Sequence, residues 1–186
     1  MQQPDRQTGR GLPVLFSCLA TLVLLLAGCG SVPATSEGMA ASAYDVEQKH
    51  SYSVEVLTSG GEVASVTHPA QITDAVLAQA IEEAILGSGV FNEVRPAPAA
   101  DYQLSVHLFS LEQPTMGFSM SVRMEAGWTL KRLADDQIIW RESIASLYTA
   151  NTADAFAAVE RLRLATEGAA RNNILKGIRK LSELDL

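Results

Sequence analysis

Few side chains in this 186-residue chain are placed to do covalent or acid–base chemistry, and the most distinctive is a thiol. Cys29 closes the run Leu26-Ala27-Gly28-Cys29 directly after an apolar stretch, where a nucleophilic sulfur could accept a covalent group. The only other cysteine, Cys18, lies inside that stretch. The three histidines, His50, His68 and His107, read as linker, loop and strand residues. None has a Cys, His or carboxylate neighbour at metal-ligand spacing, so no metal and no cofactor is expected. His107 reads as facing solvent or a partner. There is no G-x-S-x-G elbow, no phosphate-binding loop and no H-E-x-x-H. Glu82 and Glu83 fall off the apolar stripe of their helix and read as a solvated face. Arg123 and Glu125 share a strand face from which they could reach Arg141 or Glu142, an ordinary cross-strand pairing of charges. No catalytic residue is assigned, and the chain is read as a non-enzyme.

The segment before Cys29 supplies the context for the thiol. Residues 1–11 are polar and carry Arg6 and Arg10 against Asp5, whereas Val14 to Leu26 is nearly all apolar and ends in three leucines. A basic start, a short apolar run and small residues at a cut make a signal peptide. The run is shorter than the roughly 20 residues needed to cross a bilayer core. Leu26-Ala27-Gly28-Cys29 resembles the bacterial lipobox, the alternative being a secretory signal with a chance cysteine. The resemblance implies recognition of Leu26, Ala27 and Gly28 by a signal peptidase, cleavage before Cys29, and attachment of diacylglycerol and then an amide-linked acyl chain such as palmitate. One acyl chain binds a membrane only marginally, while two or three hold permanently. Gly30 follows the cysteine and no Asp stands there, which for a Gram-negative source resembles export to the outer membrane, facing the periplasm.

Composition narrows the remaining classes. Without residues 1–28 the chain keeps 12 Lys and Arg against 20 Asp and Glu. Such acidity argues against nucleic acid as a partner, because phosphate neutralisation needs a basic face. With Cys18 removed and Cys29 modified, no cysteine pair is left, and stability has to come from an apolar core.

Residues 29–49 are rich in Ser, Ala, Gly and Pro and read as the lipidated cysteine and a flexible tether, reaching about 25 Å by random-coil scaling. Packing of this stretch on the domain is the less favoured alternative. Residues 50–186 then form a single domain. Tyr52, Val54 and Val56 alternate as a strand, and Val63 to Val66 is a second short candidate. After Pro69 a helix is predicted over 71–86, with Leu77, Ile81, Ala84, Ile85 and Ser88 on one stripe and Gly87 or Gly89 ending it. Val90 to Val94, Tyr102 to Leu108, Met120 to Lys131 and Ile138 to Tyr148 read as strands. A second helix is predicted from about Thr152 to Leu184, capped by Thr152 or Asp154. The expected fold is α+β, a mostly antiparallel sheet of four or five strands with two helices packed on one face.

One connection departs from the polar norm. Gln113 to Met120 links two strands and carries Met116 and Phe118, and the favoured reading is that both fold over the end of the core. The alternative is a contact site for a membrane partner.

Ala100-Asp101-Tyr102, Trp128-Thr129-Leu130-Lys131-Arg132 and Arg163-Leu164-Ala165-Thr166-Glu167-Gly168-Ala169-Ala170 resemble stretches of uncharacterised proteobacterial outer-membrane lipoproteins, a likeness covering about residues 50–186. More distantly, element order and lipobox are similar to auxiliary lipoproteins of ABC-type lipid transport and to lipopolysaccharide-assembly lipoproteins. The resemblance implies a non-enzymatic accessory domain, anchored in the membrane through its N-terminal lipid, that binds an envelope protein of an assembly or lipid-transport complex. The alternative is a lipid-anchored enzyme acting on envelope polymers or lipids, which would need an apolar cleft with convergent titratable groups.

Overall fold

The computed structural model describes residues 32–62, 68 and 70–186. Leu26, Ala27, Gly28 and Cys29, and the short strand expected over Val63 to Val66, lie outside the described residues. Eight elements follow in order: α1 Ser36–Met39, β1 His50–Ser59, α2 Asp74–Ser88, β2 Phe91–Val94, β3 Tyr102–Glu112, β4 Met120–Arg132, β5 Ile138–Ala150 and α3 Ala158–Ser182. The strands form one sheet in the order β2-β1-β3-β4-β5.

β3, β4 and β5 make a meander whose two antiparallel ladders are the longest in the sheet. β1 is different, because it runs parallel to both of its neighbours. Parallel neighbours need a crossover, and α2 supplies it between β1 and β2. β2 pairs with β1 only as far as Val54, which is where the register of β3 with β1 begins. The chain therefore passes across β1 at that level, using just residues 95–101. Main-chain bonds fasten the crossing, from Arg95 N–H to Val54 O at 3.0 Å and from Asp101 N–H to Ser53 O at 3.2 Å. The Asp101 carboxylate completes it, accepting from Ser53 N–H at 2.8 Å and from Ser53 Oγ–H at 2.7 Å.

The alternation legible in the strands sends one set of side chains inward. Leu104, Val106, Val122, Met124, Ala126, Trp128 and Leu130 are fully or almost fully buried beneath the helices. α2 lies over β1 and β2, α3 lies over β4 and β5, and the two helices touch. The other sheet face is open, as expected of an antiparallel sheet solvated on one side. Thr73 caps α2, accepting from Val76 N–H at 3.3 Å, and Gly89 ends it with φ at 68°, the left-handed conformation glycine adopts without steric cost. α3 starts later than its periodicity suggests. Its N-cap is Ala157, without a side-chain cap, because Asp154 instead closes the preceding turn by accepting from Asn151 N–H at 2.8 Å.

The tether expected over 29–49 is corrected for its described part. Ala34 and Met39 are buried in the common core, and Tyr44 and Val46 pack against it. The Glu47 N–H donates to Ser182 Oγ at 3.0 Å. His50, expected in the linker, opens β1, is buried against Phe91, and bonds through Nε2 to Leu181 O at 3.0 Å.

The centre of the core is Trp128. Its indole Nε1–H donates to Asn173 Oδ1 at 2.9 Å, and Asn173 Nδ2 donates on to Ile144 O at 2.7 Å, so both buried polar groups are satisfied. Gly177 lies against the indole: a Cβ there would stand 2.4 Å from Cη2. Helix propensity favours alanine over glycine by about 1 kcal/mol, whereas forcing a methyl into a close-packed core costs about 1–3 kcal/mol. Packing is expected to win, so Gly177→Ala should lower the urea unfolding midpoint; a raised midpoint would show that the ring is free to shift.

Asp101 gives a test by pH. Its carboxyl is held below the usual carboxylate range, first by the Ser53 N–H and then by the Ser53 hydroxyl. A depressed folded value stabilises the protein above the unfolded value, about 3.9, and that stability is lost as pH falls through the folded value. Asp101→Asn should therefore be less stable than the parent at neutral pH, and the difference should close below about pH 4, where the parent loses the same charge. A difference unchanged down to pH 2.5 would contradict the assignment.

Candidate functional site

Three places outside the core bring together polar or apolar groups that could act on something else. The first lies between α3 and the N-terminal segment. Glu167 is the one buried carboxylate among the described residues, and it accepts from Arg163 Nη1 at 2.6 Å, from Thr35 N–H at 3.0 Å and from Thr35 Oγ–H at 3.1 Å. Arg163 also bonds Glu160, and Arg171 donates to Gly38 O. The Arg163 hydrogen bond holds the Glu160 carboxyl below its ordinary value, and the same contact raises the Arg163 guanidinium further above its own. A Cβ on Gly38 would stand 2.0 Å from the Glu167 carboxyl carbon, so only glycine lets the segment lie this close. All of this fastens chain to chain and leaves no acid facing a cavity.

The second place is the open face of the sheet. Ser59 Oγ and His107 Nδ1 are 2.8 Å apart on adjacent strands, which is the contact a nucleophile makes with its base. The imidazole packs edge-on against Phe109, with ring centroids 5.1 Å apart, and no carboxylate among the described residues orients it. Phe109 in turn covers Gly127, the usual way an aromatic side chain makes up for a glycine in a sheet. The surface is exposed, as the sequence reading of His107 anticipated. Arg123 and Glu125 do not reach Arg141 or Glu142. The register sets them opposite Leu147 and Ala145, and Glu125 accepts from Ser143 Oγ–H at 2.7 Å.

The third place is the end of the domain where β3, β4, β5 and α3 all turn. The β3–β4 connection leaves Met116 82% and Phe118 88% exposed, so neither folds over the core. The β5–α3 connection adds Phe156 at 98% exposure. Arg161 clips the two connections together, donating through Nη1 to Ala155 O at 3.0 Å and Phe156 O at 2.6 Å, and through Nη2 to Gly117 O at 3.2 Å. Arg161 is itself buried, so the loops are held from beneath. Sequence reading missed Phe156 because it placed residues 152–157 inside the second helix. The available signal was a lone aromatic residue in an otherwise small and polar turn.

Other shifted groups also serve the fold. Glu55 is lowered by the Ala97 N–H and then by Gln103, which ties the crossing to β1, and Tyr102 is raised by burial. Among the described residues, no group of three or more His, Cys, Asp or Glu is placed to hold a metal ion, and no helix is long and apolar enough to cross a membrane.

No family model matches the chain, and no curated protein matches it. Solved structures do share the fold. A Xanthomonas campestris protein of the DUF330 family superposes with a TM-score of 0.55 at 14% identity, covering 80% of this chain and 90% of its own. A candidate lipoprotein from Caulobacter crescentus gives 0.50 at 16% identity, over 70% and 88%. A hypothetical protein from Chlamydia trachomatis gives 0.50 at 10% identity, over 69% and 94%. At these identities the likeness is one of architecture.

Proposed function

We propose that this chain is a lipid-anchored envelope lipoprotein, held at the periplasmic side of the outer membrane through Cys29, that acts as a non-enzymatic accessory domain for an assembly or lipid-transport complex. The observation that carries the reading is the lipobox-like Leu26-Ala27-Gly28-Cys29 set five residues ahead of a chain that joins the fold at Ala34. Supporting the accessory role, the buried Glu167 and the shifted groups Arg163, Glu160 and Asp101 are all engaged in hydrogen bonds that fasten loops or helices of the fold. The Ser59–His107 contact lies on the exposed sheet face, in an open depression with Phe109, Gly127, Arg141 and Glu142, and among the described residues no carboxylate hydrogen-bonds the imidazole. A further support is that the same architecture occurs in the Caulobacter crescentus candidate lipoprotein.

The test is metabolic labelling with palmitate in a Gram-negative host, followed by density-gradient fractionation and in-cell crosslinking. The parent chain is expected to carry label, to sediment with outer membranes and to crosslink to an envelope protein. Cys29→Ala should lose label and membrane association together. An unlabelled parent, or a labelled one with hydrolytic activity on envelope material, would contradict the reading.

A further inference from the structure

We propose that Met116, Phe118 and Phe156 form a tip that rests on the lipid bilayer itself, the same bilayer that holds the acyl chains of Cys29. This rests on the lipid anchor proposed above and deepens it by assigning how the domain stands on the membrane.

The described chain joins the fold at Ala34. Ala34 N–H donates to Gln71 O at 3.3 Å, and the neighbouring Ala70 O accepts from Gln113 Nε2 at 2.6 Å. Gln113 opens the β3–β4 connection that carries Met116 and Phe118, and its amide also reaches Thr166 Oγ at 3.0 Å. The entry point and the apolar tip are therefore joined through one pair of residues at one end of the domain. From Cys29 to Ala34 there are five residues, which span at most about 18 Å when fully extended. A leash that short keeps this end of the domain near the bilayer surface and turns the opposite end, with the β4–β5 turn, away from it.

The chemistry of the tip suits that position. Three large apolar side chains stand almost fully in water, which is unfavourable for an isolated soluble domain and removed by contact with acyl chains. Residues 113–119 contain no charge, and in 151–157 the single charge, Asp154, is already bonded to Asn151 N–H. The buried Arg161 guanidinium beneath the tip is bonded to the carbonyls of Ala155, Phe156 and Gly117, and Glu112, which adjoins the β3–β4 connection, is paired with Arg123 at 3.9 Å. Side chains at these positions are also free of any duty in the core, so their apolar character needs another cause.

The experiment uses the full acylated protein in phosphatidylethanolamine–phosphatidylglycerol vesicles containing lipid with a nitroxide on the acyl chain. Fluorophores are attached at Ser119→Cys beside Phe118, at Ala157→Cys beside Phe156, and at Ala134→Cys in the distant β4–β5 turn, since the Cys29 sulfur is blocked by its lipid. Quenching is expected at 119 and 157 and not at 134. The triple variant Met116→Ser, Phe118→Ser, Phe156→Ser, labelled at 119, should lose the quenching while keeping acyl mass and its circular dichroism spectrum. Acylated protein with equal emission at all three positions would overturn the tip assignment. So would shielding of 119 and 157 in native envelopes but not in pure lipid, which would give the tip a protein partner. Absence of acyl mass would overturn the anchor instead, so the two failures are separable.

Discussion

A single buried carboxylate decides how much of this chain belongs to the domain. Glu167 projects from the middle of α3 into a space with little water, where an unpaired charge would be strongly destabilising. Arg163, one helical turn earlier, supplies the balancing charge, and Thr35 N–H and Thr35 Oγ–H donate to the same Oε1. Those donors come from the N-terminal segment. The need to satisfy Glu167 therefore draws residues 34–39 onto the helix, and Gly38 permits the approach. Further along, Arg171 to Gly38 O and Ser182 to Glu47 N–H carry the segment beside α3 until β1 begins.

Docking of this segment changes what the proposed anchor would do mechanically. A free stretch of about 20 residues would let the domain wander some 25 Å from the membrane and present any face to it. With Cys29 acylated as proposed, a five-residue leash would set which end is near. The same end bears the exposed Met116, Phe118 and Phe156, whose loops are held in place from below by Arg161. On the proposed reading, anchor and tip would be two attachments at one end, and a second weak contact strengthens a first by raising its effective concentration.

The meander was legible because its physics is local. Alternation from Tyr102 to Leu108 and from Met120 to Lys131 follows directly from one buried and one solvated sheet face, and the stripe on α2 follows from burial on β1 and β2. Three features were hidden because they depend on distant partners. The parallel setting of β1 is determined by the short crossing at Asp101, which no alternation pattern records. The docked N-terminal segment makes most of its bonds through main-chain groups, so its Ser, Ala and Gly composition looks like a linker. Phe156 was hidden by the late start of α3, which the unusual Ala157 N-cap does not signal. Of the candidate site, Met116 and Phe118 could be named from their loop, and Arg161 could not, since an arginine on a helix reads as solvent-facing until its carbonyl partners are seen.

The short leash depends on residues 34–48 being part of the folded domain. Amide hydrogen exchange, followed peptide by peptide in the full chain, tests this directly. The Ala34, Thr35 and Glu47 amides, each bonded to a distant part of the fold, should exchange slowly, with protection close to that of α3. Exchange across 34–48 at the rate of an unstructured chain would contradict the account, and with it the short leash.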